Sequence, residues 1–258
     1  MNSTSVIYTS MIVQIKQTFA RNMFRFTLFI SPLLFVIILG EMFRYTAADN
    51  FITYVVLGGG LWSLWTSIAF SSAGDIHRER YSNTLSIIFS APADFRLILL
   101  GKILGTTLLS LGSFFITVTY ATLLYSTPIL IKNIPLFVIS FGLMVVSFVI
   151  MSIFLAYLLT LSRKTTIFMN CLEIPFAILW GFAFPIEVLP RGVQFISYIF
   201  PPTWAVRLLR YSLAETRFIF LDILIILMLT SMAFTLLSIV LYKIIFKQAR
   251  VLGTLEMS

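Results

Sequence analysis

Six apolar runs, each at or near the length that crosses a bilayer, leave this chain few ways to fold. Crossing about 30 Å of hydrocarbon takes roughly 20 helical residues. The runs fall at about Phe26 to Phe43, Phe51 to Ser72, Leu97 to Tyr125, Leu136 to Leu161, Thr166 to Phe184 and Phe218 to Phe246. Pro32 in the first is a tolerated kink, because neighbouring groups in a membrane protein can re-satisfy the freed carbonyl. With 59% hydrophobic and only 11% charged residues, a soluble domain of 258 residues could not cover its surface. The expected fold is therefore an all-α membrane protein. A single transmembrane domain, residues 1–258, accounts for the whole sequence.

Several chemistries are excluded by residue supply. The one cysteine, Cys171, permits no internal disulfide, and with the one histidine, His77, no zinc cluster can be assembled. Cys171 lies in an apolar run and reads as a small packed hydrophobe. The formal charge of +8 suits an anionic leaflet and does not require nucleic acid.

The widest polar interruption runs from Asp75 to Lys102, DIHRERYSNTLSIIFSAPADFRLILLGK. It leaves the membrane and returns on the same face, with residues 74–96 as a cytoplasmic loop. Between its charged ends, Leu85, Ile87, Ile88 and Phe89 alternate with Ser82, Asn83 and Ser86, and Pro92 closes the stretch. A plain connector is the bland alternative. A short amphipathic helix, however, needs a partner for its apolar face, either headgroups or another protein.

Residues 1–25 have no cleavable signal pattern. Val6, Ile7, Met11, Ile12, Ile15 and Phe19 recur at helical spacing, which predicts an amphipathic helix in the cytoplasmic interface. Gly58, Gly59 and Gly60 in the second run predict close helix contact or a local break. Gly101 and Gly105 give the third run a small-xxx-small face.

Basic residues set the orientation. With the amino terminus inside, twelve of the 18 Lys and Arg are cytoplasmic and six are outside: Arg44, Lys132, Arg191, Arg207, Arg210 and Arg217. That bias puts both termini in the cytoplasm. Residues 185–217 are too long for a turn and too interrupted for a span, with Pro185, Pro190, Pro201 and Pro202. They read as an extracellular re-entrant pair of short helices before the last span, with Arg207 and Arg210 reaching towards headgroups. An ordinary extracellular loop is the alternative.

These parts together resemble the membrane subunits of ABC-2-type exporters, over essentially the full chain. The stretch RERYSNTLSIIFSAPADFRLILLGK is similar to the family's segment after the second span, with Glu79, Arg80, Thr84, Leu85, Pro92, Arg96, Gly101 and Lys102 on its pattern. Pro185, Leu189, Pro190, Pro201, Pro202 and the nearby Trp204 belong to a second region that resembles the family's outer segment. The order of parts is the third point of likeness. Asn83 and Ser86 stand where family members often carry Gly and Glu, and the basic Phe-Pro motif of the polysaccharide branch does not occur in this loop.

The resemblance implies a permease subunit of an ATP-driven exporter and not an enzyme, in a bacterial plasma membrane. No GxxxxGK[ST] occurs, so ATP and magnesium are expected on separate ATP-binding cassette subunits, and no cofactor on this chain. A second permease chain, identical or related, is the other expected partner. The island would contact the ATPase through Arg78, Glu79, Arg80, Thr84, Leu85, Ile88, Phe89 and Pro92. The expected substrate is amphipathic, whether drug-like, an antimicrobial peptide or lipid-linked. Polysaccharide or glycolipid export and a non-transporting peptide-sensing or immunity subunit are the alternatives. Glu173, an acid inside the fifth run, and Asn170 one turn before it are candidates for the translocation path, against a purely structural hydrogen-bonded role. Trp62, Trp65 and Trp180 read as packing anchors.

Overall fold

The structure, a computed structural model, describes residues 3–43, 51–81, 93–125, 133–160, 165–214 and 220–252. Among the described residues the fold is helical: α1 (Ser3–Phe19), α2 (Asn22–Phe43), α3 (Phe51–Tyr81), α4 (Phe95–Tyr125), α5 (Ile134–Thr160) and α6 (Thr165–Leu179). A 3-10 turn at Ile186–Val188 then leads to α7 (Arg191–Ser197), α8 (Pro201–Ala214) and α9 (Phe220–Leu252). Among the described residues, four helices are long and apolar enough to cross a membrane, namely α2, α4, α5 and α9. In α3 the corresponding apolar part is the shorter stretch Val55–Ala69.

Two sequence expectations change in extent. The charged start of the island is not loop, because α3 continues helically to Tyr81 and carries Arg78, Glu79 and Arg80 in its last turn. The fifth apolar run forms a helix of only 15 residues, α6, followed by a turn in which Gly181 has φ 73. A side chain there would be strained, so glycine lets the chain fold back after Trp180. The three adjacent glycines of α3 produce no break. A Cβ at Gly60 would lie 2.7 Å from the Phe114 ring, and one at Gly58 would lie 2.9 Å from the Phe182 carbonyl oxygen. They are contact points.

The main core is aromatic. Trp65 of α3 and Trp180 after α6 meet edge to face at 4.4 Å, and Phe148, Phe176 and Phe182 close round them. Trp65 and Trp180 are fully buried, as packing anchors should be. Ala205, Val206, Leu208 and Leu209 of α8 join the same cluster, so the outer segment is part of the core and not a strap across it.

α4 packs against α1, α2, α3 and α5. Besides Phe95, Leu99, Ile103 and Phe114, its buried residues include a run of small ones: Gly101, Gly105, Thr106, Thr107, Ser110, Ser113 and Thr117. Their hydroxyls donate back to carbonyls one turn earlier, for example Thr107 to Ile103 and Ser110 to Thr106, each at 2.7 Å. Polar groups satisfied within the helix cost little in an apolar setting, and their small size lets other backbones approach. α1 uses this most fully. A Cβ at Gly101 would come 2.5 Å from the Ile7 carbonyl oxygen, and at Gly105 2.7 Å from that of Met11. The amphipathic α1 thus lies along the small-xxx-small face of α4.

Replacing either glycine forces backbone apart and cannot be relieved by a side-chain rotation. Gly101→Val is expected to cost about 1–3 kcal/mol and to unseat α1. Thermal unfolding in detergent, with thiol labelling of Ser10→Cys in a Cys171→Ser background, should show a lower midpoint and faster labelling.

Candidate functional site

The polar island is braced to α4 at both of its ends. On the entry side Glu79 pairs with Lys102, and both side chains are largely shielded, at 15% and 16% exposure. Arg78 sits beside this pair, its pKa drawn down to about 10 by loss of solvation and then by the neighbouring Arg21 charge. Arg21 follows α1 directly and donates to Thr18 Oγ1 at 2.6 Å, while Gln14 Nε2 donates to the same oxygen at 2.8 Å. Gln14 and Thr18 are buried between α1 and its neighbours. The elbow from α1 to α2, the end of α3 and the start of α4 therefore meet in one cationic corner.

On the exit side Asp94 is the N-cap of α4. Its Oδ1 accepts the Arg96 backbone N–H at 2.9 Å, which satisfies one of the helix's orphan donors. The Arg96 guanidinium holds the same carboxylate, with Nη2 at 2.7 Å from Oδ2. This hydrogen bond holds the Asp94 pKa below the usual carboxylate range, helped by the backbone bond and the Arg96 charge. From α9, the Tyr242 hydroxyl approaches Oδ1 at 3.5 Å and its ring lies 4.8 Å under the Arg96 guanidinium. The Arg80 side chain, with Thr84, Leu85, Ile88, Phe89 and Pro92, lies outside the described residues.

Within the bundle, the Thr66 hydroxyl of α3 donates to Glu173 Oε1 of α6 at 2.8 Å. The carboxylate is half-buried, between the core residue Phe176 and the exposed Cys171 and Ile174. Trp62, one turn before Thr66, stacks on Phe35 of α2 at 4.9 Å. The Asn170 side chain lies outside the described residues.

At the far end the prolines do local work. Pro185 and Pro190 precede the 3-10 turn and α7, while Pro201 and Pro202 open α8, where a missing N–H leaves no helical bond unmade. Leu189 ends the 3-10 turn, and its carbonyl accepts Gln194 Nε2 at 2.7 Å. Trp204 Nε1 donates to the Tyr198 carbonyl at 2.8 Å. Arg207 and Arg210 do not reach for headgroups as the sequence suggested. Arg210 Nη2 donates to the Gly181 and Phe182 carbonyls at 2.7 and 2.8 Å. Arg207 pairs with Glu187 at 3.2 Å, with Tyr198, Trp204 and Tyr211 rings 5.6–5.9 Å away. For Arg210 the reason is the early end of α6, whose turn leaves carbonyls that need donors.

The model of the family described as ABC-2 family transporter protein matches residues 41–246. The chain belongs to the ABC-2 transporter family. It is an ABC-2-type permease, a membrane transport component. Comparison with curated proteins gives no match. In this ABC-2 permease the match covers Glu79, Lys102, Asp94 and Tyr242, and leaves α1 ahead of it. The glycines that α1 docks on, Gly101 and Gly105, lie inside the match.

Neither Asp94 nor Tyr242 was singled out in the sequence. Asp94 carried a legible signal, an Asp just before an apolar helical run. Tyr242 carried none, since its role depends on which helix lies beside it.

Two outcomes follow at the braces. Glu79→Lys alone should lower stability by roughly 1–3 kcal/mol, because Lys102 is left shielded without its counter-charge. Adding Lys102→Glu should recover most of the loss, read as the unfolding midpoint in detergent. For Asp94 the folded pKa lies below the unfolded value of about 3.9. Its stabilisation is then present in full above that value and is lost as pH falls through the folded pKa. Asp94→Asn should cost up to about 1 kcal/mol at neutral pH. The gap to the native protein should close as the solution is acidified.

Proposed function

We propose that this ABC-2 permease is the membrane half of an ATP-driven exporter, coupled to a cytosolic ATPase through its island. The observation that carries the reading is the double bracing of that island. The Glu79–Lys102 ion pair fixes the island's entry to α4, and the Asp94 cap with its Arg96 clamp fixes its exit. Ends held in this way let a displacement of the island pass into α3 and α4.

In this reading six spans cross the bilayer, namely α2, α3, α4, α5, α6 with its turn, and α9, with both termini in the cytoplasm. The basic count of the sequence supports that orientation. α1 and the island, including Thr84, Leu85, Ile88, Phe89 and Pro92, meet the ATP-binding subunit, which supplies ATP and magnesium chemistry. The outer elements dip into the outer leaflet as a re-entrant pair. Val188 and Phe195 support this, being 72% and 74% exposed at a position where water would disfavour them. A second permease chain completes the path in a bacterial plasma membrane.

Glu173 supports a shared path. A half-buried carboxylate on a spanning helix is costly against lipid and is accommodated against protein or water. With Asn170 it would line the route of an amphipathic substrate, whose apolar part suits the Phe-rich bundle.

The test is co-purification in mild detergent with a candidate cytosolic ATPase, with ATP turnover scored with and without the permease. A stoichiometric complex is expected, and Glu79→Lys with Leu85→Asp should lower its turnover and weaken the association. Absence of any complex, or a complex indifferent to these changes, would contradict the reading.

A further inference from the structure

The island's exit and the last helix are linked by a small, separate contact. Asp94 stands two residues beyond the segment that ends at Pro92, and as the N-cap it moves with the first turn of α4. Arg96 clamps its carboxylate and lies over the Tyr242 ring of α9. Phe95, Leu99 and Ile103 of α4, Tyr157 and Ala156 of α5, and Tyr242 and Ile245 of α9 form their own hydrophobic cluster, distinct from the aromatic core. Tyr157 and Tyr242 rings are 5.8 Å apart.

The contact is narrow. Among the described residues α9 packs broadly on α5 and α8, and it meets α4 chiefly through these side chains. Asp94 and Tyr242 are 148 residues apart in sequence, so no loop joins the island to α9. At the island end of α9, Ile239, Val240 and Ile244 are exposed while Tyr242 and Ile245 are buried. Tyr242 meets both the Tyr157 ring of α5 and the Arg96 guanidinium of α4, so a shift of Arg96 acts on α9 where it is packed.

We propose that Asp94, Arg96 and Tyr242 form a latch that makes the inner end of α9 move with the island. This rests on the coupling role proposed above and names the route by which it reaches the last helix. The three are positioning residues. Arg96 is their centre, because it holds Asp94 by charge-assisted hydrogen bonds and Tyr242 by the ring face. When the island shifts, α4 turns about its capped start. The Arg96 plane then carries the Tyr242 ring with it, while the aromatic core holds the far end of α9 through Leu227 and Phe234.

The test uses the full chain in complex with its ATPase, in a Cys171→Ser background with spin labels. Distances are read nucleotide-free and with magnesium and a non-hydrolysable ATP analogue. One label pair, at Ala93→Cys and Lys243→Cys, spans the latch. The other, at Met23→Cys and Lys243→Cys, reports α9 against α2. The first distance should stay fixed between the two states while the second shifts. In Tyr242→Leu the second shift should be lost with ATPase binding retained. Tyr242→Phe, which keeps the ring, should retain the shift and guards against a misfolded variant. A first distance that changes, or a second that shifts equally in Tyr242→Leu, overturns the latch alone. If the native chain binds no ATPase, the coupling reading fails, and the latch fails with it.

Discussion

The close approach of α1 to α4 over Gly101 and Gly105 is the contact on which this end of the molecule depends. In a bilayer there is no hydrophobic gain in bringing one apolar helix to another, so association rests on packing and on satisfied polar groups. α4 offers both, with glycines where α1 crosses and hydroxyl side chains bonded to their own helix farther along. Because α4 is slim, three other helices can reach it within a few turns. α1 lies on the glycines, α3 reaches Lys102 through Glu79, and α9 reaches Arg96 through Tyr242. A larger side chain at either glycine would displace α1 and open the cationic corner that Arg21, Arg78 and Lys102 share with Glu79.

The opposite end is stiffened by different means. Aromatic rings from α3, α5, α6, α8 and α9 interlock around Trp65 and Trp180. Arg210 ties the turn after α6 to α8, which itself lies on α5 and α9. One end is thus a dense core and the other an assembly of charged and capped contacts. For a transport component that division is useful, since a packed end resists bending while ion pairs and caps can be shifted by a partner.

Much of this was legible in the residues, and the gaps have physical causes. The helical class, the apolar runs and the existence of α1 follow from length and periodicity, which are local properties, whereas its buried face holds Gln14 and Thr18 beside Val6. The Gly101/Gly105 face was legible as a contact face, but its occupant was not, because spacing says that something approaches without saying what. The short α6 was hidden because Trp180 to Phe184 continue the apolar run, and only the left-handed Gly181 marks the turn. Arg207 and Arg210 resemble headgroup anchors in sequence. Their partners are a carboxylate and two carbonyls from other segments, which no local pattern reveals. Glu173 was visible as an acid inside an apolar run, while its Thr66 donor, 107 residues away, was not.

The central claim is that the inner third of α4, with α1 and the end of α3 seated on it, is where the permease receives force from an ATPase. Amide hydrogen exchange of the detergent-solubilised chain, alone and saturated with the ATPase, tests this most directly. The account predicts new protection in α1, in the last turn of α3 and in the first turns of α4, with the aromatic end unchanged. Protection limited to the carboxyl-terminal turns of α9, or confined to α7 and α8, would contradict it.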